Sequence, residues 1–207
     1  MKPKYIIQFA KIYSLIFSPF YAPLWVFLWL FLFSYLRMWP LSYKLFIMVT
    51  VLMFTIIIPR VAIEIFRRVT GWTHWQLSHR ENRYIPYFLT IASYVACVFL
   101  FINLNTALFM RGIILATLMT SLACAVVNAW WKVSTHMAGM GGMVGTVISF
   151  SYLFYFNPII PMCCMLLLSG IMGSSRMILR QHSLAQVLVG FLIGFVCALV
   201  FILIAWV

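Results

Sequence analysis

Residues 184–206 read LAQVLVGFLIGFVCALVFILIAW, a run without one charged side chain and long enough to cross a bilayer core as a single helix. Working outward from it, comparable apolar runs recur near 20–37, 42–59, 86–104, 107–131, 138–157 and 159–174. The 159–174 run is short for a span and has Pro158 and Pro161 at the turn that opens it. Of the 207 residues 66% are hydrophobic and only 8% charged, and the mean hydropathy is +1.09. A soluble domain carries about 25% charged residues, so lipid must be the solvent for most of this exterior. The predicted fold is an all-α integral membrane bundle of six to seven transmembrane helices, one domain over 1–207. Lys2, Lys4 and Lys11 among Ile, Phe and Tyr predict an amphipathic interfacial helix over 1–19, since no small-residue cleavage site follows.

The ionisable inventory restricts the chemistry. Fourteen Lys plus Arg and four His face only two acids, Glu64 and Glu81, and there is no Asp. The net charge of +12 therefore reflects scarce carboxylates. A di-metal centre needs several carboxylate ligands and a Ser-His-Asp triad needs an Asp, so neither is expected, and no metal or cofactor is. The cations are scattered between apolar runs, not arrayed as a solvated stripe, which disfavours nucleic acid. They suit bilayer headgroups and phosphorylated substrates. The five cysteines, 97, 124, 163, 164 and 197, lie in apolar runs without metal-ligand spacing and read as buried small hydrophobes. Nothing in the sequence specifies an oligomeric state.

Three polar islands interrupt the apolar runs: 60–85, 132–136 and 175–183. Two spans separate the first island from the second, and two separate the second from the third. An even number of crossings returns the chain to the same face, so all three islands are expected on one side, where converging polar groups mark a site. The same parity places residues 1–19 on that face and the C-terminus on the other. Most basic residues then crowd the site face, against Arg37, Lys44 and Arg111 opposite. The positive-inside rule alone would make the crowded face cytoplasmic.

In the third island, Ser175 and Arg176 end one span and His182 opens the next. Ser183 and Gln186 have capping-box spacing, and a helix N-terminus there favours an anion. Gln186 lies one helical turn after His182. It reads either as the cap alone or as the acceptor for one imidazole nitrogen. The second island, Lys132-Val133-Ser134-Thr135-His136, again sets a histidine beside a hydroxyl and a cation where a span begins. The first island ends with Arg83 just before Pro86.

These pieces resemble the type 2 phosphatidic acid phosphatase superfamily, whose motifs run K-x-x-x-x-x-x-R-P, P-S-G-H and S-R-x-x-x-x-x-H-x-x-x-D. Ser175, Arg176 and His182 match the third motif, with Gln186 in place of its Asp, as in a bacterial membrane subgroup that the chain looks like. Ser134 and His136 match the second motif. The first is degenerate: Arg83 stands at its Arg, Pro86 is two residues late and Gln76 occupies the Lys position. The resemblance implies a metal-free, two-step phosphoryl transfer. His182 would be the nucleophile and His136 the acid and base, Arg83, Lys132, Ser134, Thr135, Ser175 and Arg176 would hold the phosphate, and Gln186 would orient His182. Imidazole suits both tasks, since its unperturbed pKa of about 6.5 lets it give or take a proton near neutrality.

The expected substrate is a membrane lipid phosphate, with phosphatidic acid, phosphatidylglycerol phosphate, undecaprenyl pyrophosphate and phosphorylated lipid A as candidates. The subgroup resemblance implies a bacterial inner membrane with the site facing the periplasm, against the charge tally. Two alternatives keep the site: a phosphotransferase to another lipid, or a non-catalytic lipid-phosphate binder or transporter in which Gln186 marks decay. His74 and His79 read as interface residues, Arg80 and Arg180 as interfacial anchors, and Arg67 and Arg68 as headgroup contacts. Gly141 with Gly145 and Gly190 with Gly194 have the spacing that lets helices approach closely.

Overall fold

The computed structural model describes residues 3–71 and 84–206. These residues form nine α-helices: α1 (Pro3–Ile16), α2 (Ala22–Phe33), α3 (Leu41–Leu52), α4 (Ile58–Thr70), α5 (Tyr84–Asn103), α6 (Leu108–Trp130), α7 (Thr135–Phe154), α8 (Ile159–Ile178) and α9 (Leu184–Ile204). Seven stretches among them are long and apolar enough to cross a membrane. Lys4–Phe33 joins α1 to α2, Leu41–Thr70 joins α3 to α4, and α5 to α9 supply the other five. The protein is an all-helical integral membrane bundle. Its outer faces present large apolar side chains such as Phe33, Leu41, Ile160 and Leu167, as a protein solvated by lipid requires.

Several boundaries differ from the sequence expectation, each for a local reason. The 42–59 run does not stop at Pro59 but continues as helix to Thr70, where Gly71 at φ 70° closes it. Pro59 is accommodated because the preceding turn, Met53–Ile57, is a π-turn. A proline leaves an earlier carbonyl without its N–H, and Ser93 on α5 donates to the Phe54 carbonyl at 2.6 Å, the kind of side-chain rescue that membrane helices use. The 60–85 island is therefore helical over its first residues. The short run near 159–174 is a full helix to Ile178, and α7 begins at Thr135 instead of residue 138. Cys97 and Cys124 are buried as expected, whereas Cys163 and Cys164 are exposed on the outward face of α8.

The chain's centre is α7, with 61% of its most apolar window buried against 28–39% for the other spans. It packs in parallel with α9 at very short range. A Cβ on Gly141 would overlap the Phe191 carbonyl, and one on Gly194 would overlap the Ala138 carbonyl. One on Gly145 would lie 2.6 Å from the Phe195 carbonyl oxygen, and one on Gly190 would overlap the Ser134 carbonyl. Lipid tails supply no hydrophobic drive between helices, so close van der Waals contact of this kind holds them together. At one end of the bundle Phe109, Phe150, Phe154 and Trp206 pack edge-to-face. The segments bearing His136 and His182 sit at the other end. Helix α1 lays Ala10, Tyr13 and Ser14 against α8, and Tyr13 donates its hydroxyl to the Leu168 carbonyl at 2.9 Å.

Candidate active site

Two helix starts frame the site. Ser134 is the N-cap residue of α7, and Ser183 is the N-cap of α9. The glycine contacts between α7 and α9 bring these starts side by side: the Ser134 N–H donates across to the Gln186 carbonyl at 3.3 Å. Lys132 reaches the Gln181 carbonyl with its Nζ at 2.8 Å. The second and third islands are thus laced together by main-chain and side-chain bonds.

The turn before α9 is built by the end of α8. The Arg180 N–H donates to the Met177 carbonyl at 2.9 Å and the Gln181 N–H to the Arg176 carbonyl at 3.1 Å. Arg180 holds φ 51°. This is the Schellman arrangement, with arginine where glycine is usual. It reverses the chain within a few residues and returns His182 to the flank of Arg176. Arg176, buried with 8% of its surface exposed, donates Nη2 to the Gln181 side-chain oxygen.

His182 is 9% exposed. Its Nδ1 lies 3.1 Å from Gln186 Oε1, and the Ser183 N–H donates to the same oxygen at 3.2 Å. Ser183 Oγ in turn accepts from the Gln186 N–H at 3.4 Å, completing a capping box. The two sequence readings of Gln186 are therefore not exclusive, because one oxygen serves both the cap and the imidazole. With Nδ1 engaged by an acceptor, the nitrogen presented in the other direction is Nε2.

His136 occupies the first turn of α7. Its Nε2 lies 3.2 Å from the Ser14 carbonyl, close to the C-terminal end of α1. That end of a helix carries carbonyls without intrahelical partners. Sequence reasoning missed Ser14 altogether. The bond is to its backbone, and no residue type announces a carbonyl more than a hundred positions away.

His136, His182, Arg176 and Thr135 line one cavity of about 340 Å³. The start of α5, which follows directly on the first island, adds Pro86 and Tyr87 to its wall. Among the described residues, the second and third islands and the start of α5 thus meet around one cavity. Arg83 itself lies outside the described residues, as do Gln76, His74, His79 and Arg80. Ser134 is wholly buried, and among the described residues its Oγ has no hydrogen-bond partner. Ser175 departs from its expected place. Its hydroxyl donates to the Ile171 carbonyl at 2.7 Å, and it lines a separate hollow between α1 and α8. The helical turn at the end of α8 points Arg176 inward and its neighbour away.

From this polar end the cavity runs inward between α2, α5, α6 and α7 to Ile113, Ala116, Thr146 and Ala198. Thr135 to Thr146 is eleven residues of α7, roughly 16 Å of helix rise. Five Thr and Ser hydroxyls border this inner arm, alongside Tyr94. Thr90, Thr117, Thr120, Ser121 and Thr146 each donate to a carbonyl one turn back in their own helix, at 2.7–3.1 Å. With their protons committed, these side chains present methyl and methylene surface to the cavity. The result is a pocket with imidazoles and a guanidinium at one end and apolar walls at the other.

Among known protein families, residues 128–207 match the PAP2 superfamily. The match takes in His136, His182 and the α7–α9 pair. No curated protein and no solved structure matches the chain.

Proposed function

We propose, from the match of residues 128–207 to the PAP2 superfamily and the geometry of the cavity, that the protein is a metal-independent lipid-phosphate phosphatase working through a phosphohistidine. The observation that carries the reading is the single cavity joining His136, His182 and Arg176 to an apolar arm inside the bundle. A lipid phosphate is polar at one end and apolar along its tail, and the cavity has the same division.

In the first step His182 Nε2 attacks phosphorus, the bond from phosphorus to the lipid oxygen breaks, and His136 delivers a proton to that oxygen. In the second step a water attacks the phosphohistidine, His136 accepts its proton, the P–N bond breaks and orthophosphate leaves. Gln186 holds the ring of His182 by Nδ1 through both steps. Arg176, the Ser134 hydroxyl, the Thr135 N–H and Arg83 are the donors assigned to the equatorial oxygens, and Lys132 adds positive charge at the rim. Removal of one such preorganised donor typically lowers the rate by about 10²–10³. The Ser134 hydroxyl is buried without a hydrogen-bond partner among the described residues and stands next to the cavity-lining Thr135, which supports its assignment, since an isolated buried hydroxyl otherwise costs free energy. The Ser175 hydroxyl has no part in this scheme. The bacterial inner membrane, with the site opening to the periplasm, is the location proposed with it.

The test is phosphate release from a panel of lipid phosphates by purified protein in EDTA. Wild type is expected to release phosphate and to form an acid-labile phosphoprotein, and His182→Ala to do neither. Loss of wild-type activity on chelation, restored by a divalent cation, contradicts the metal-free scheme.

A further inference from the structure

The inner arm of the catalytic cavity ends inside the protein. Ile113 and Ala116 on α6, Met143 and Thr146 on α7 and Ala198 on α9 line its far end, and each is 5% exposed or less. One turn further from the site, Met110, Phe150 and Ile202 on the same three helices are wholly buried in the main core. There α6 and α9 touch through their backbones, since a Cβ on Gly112 would lie 3.0 Å from the Ile202 Cα. The arm therefore has a floor on the side of the aromatic cluster.

A second hollow reaches the same end of the bundle and differs in this respect. It lies between α1 and α8, with Ser175 and Ile178 near the site and Gly170, Leu167 and Cys163 further along. Leu167 and Cys163 are exposed, so this hollow is a groove open to lipid along its side. A chain lying in an open groove meets no end. A blind arm accepts a tail only up to its own depth.

From the level of Thr135 to that of Thr146 the arm spans roughly 16 Å of helix rise, about half of a hydrocarbon core of about 30 Å. That is the thickness of one leaflet, and so the reach of an ordinary acyl tail. A close-packed interior does not stretch, and methylenes added to a filled one cost free energy as overpacking. A tail in the bilayer is already in apolar surroundings, so entering the arm gains little to offset that cost. A tail longer than the arm holds its phosphate short of His182 and Arg176.

Building on the phosphatase reading, we propose that the arm is a tail gauge: Ile113, Ala116 and Thr146 at its floor set the longest tail with which a substrate's phosphate reaches His182. The favoured substrates carry acyl or alkyl tails no longer than one leaflet is thick, and long polyprenyl tails are disfavoured.

The experiment measures kcat/KM for alkyl phosphates from octyl to docosyl, each at the same mole fraction in neutral detergent micelles. Wild type is expected to show a break: efficiency holds up to the tail that fills the arm and falls by about 10- to 100-fold beyond it. Ala116→Leu, which fills part of the floor, should move the break to shorter tails, and Ile113→Ala should move it to longer ones. The position of the break does not depend on how much of a variant is folded, so loss of stability cannot imitate either shift. Gly170→Leu, which fills the outer groove where a Cβ meets nothing within 4 Å, should leave the break in place. No break in wild type, a break that Ala116→Leu and Ile113→Ala both leave unmoved, or one that only Gly170→Leu moves, overturns the proposal.

A parallel binding measurement with alkyl phosphonates of the same lengths reads the arm without turnover. A length break in binding, with no hydrolysis of any lipid phosphate, would sink the phosphatase reading and spare the gauge. Hydrolysis that needs His182 and is equally efficient at every length would sink the gauge alone.

Discussion

At the scale of single residues, the exchange that matters most is Gln186 at the position where the resembled family has Asp. In the proposed reaction, attack by His182 Nε2 would leave positive charge on the ring. A carboxylate on Nδ1 would oppose that charge directly, whereas an amide oxygen opposes it only through its dipole. Gln186 compensates in geometry, since the same oxygen is fixed by the Ser183 N–H at 3.2 Å. Gln186→Glu keeps the reach and adds charge, so single-turnover phosphoenzyme formation should be faster than in wild type. Gln186→Leu removes the ring's partner and should slow that step by about 10- to 100-fold. It also loses half the capping box, a stability change of about 1 kcal/mol that thermal unfolding would register. An unchanged rate in both variants would show that Gln186 serves α9 alone.

At the scale of elements, the α7–α9 contact decides whether there is a site. Glycines at 141, 145, 190 and 194 let the backbones touch, and the two helix starts that carry the histidines come together as a consequence. Gly194→Ala puts a methyl into the Ala138 carbonyl and should destabilise the protein by about 1–3 kcal/mol, with loss of activity. Gly170→Ala on α8, where a Cβ meets nothing within 4 Å, is the matched control and should retain both. Thermal melts in detergent beside phosphate release would check the pair. Melting temperatures that match would refute the tight crossing. The α3–α4 unit shows the same dependence on neighbours. Pro59 reads as a stop in isolation and is carried through by the π-turn and the Ser93 hydroxyl.

At the scale of the whole molecule, the ends of the chain are informative. Trp206 packs on Phe154 and Ala205 lies against Gly112, all at the end opposite the site. With the site open to the periplasm as proposed, the C-terminus faces the cytoplasm. A fluorescent protein fused after Val207 should fold and fluoresce in a bacterial host, and an alkaline phosphatase fused there should be inactive. The reverse pattern would restore the orientation that the positive-inside count favours. Part of that count has another explanation, because Arg176 lines the cavity and Lys132 ties one island to the next. Cations with such positions inside the protein report little about membrane orientation.

Hydropathy alone determined the class of fold. A chain with 8% charged residues cannot present a water-facing surface, and helices are how such a chain satisfies its backbone. Span parity and the Ser-Arg and His spacings were equally legible, because a helix crossing and a helical turn have fixed lengths. Tertiary packing decided the rest. The Ser14 carbonyl on His136, Ser175 turned from the cavity, the π-turn that carries Pro59, and the floor of the inner arm all depend on which backbone atoms and side chains meet across helices. Such meetings are set by packing between segments distant in the chain, and a pattern of residue types along one strand of text carries no record of them.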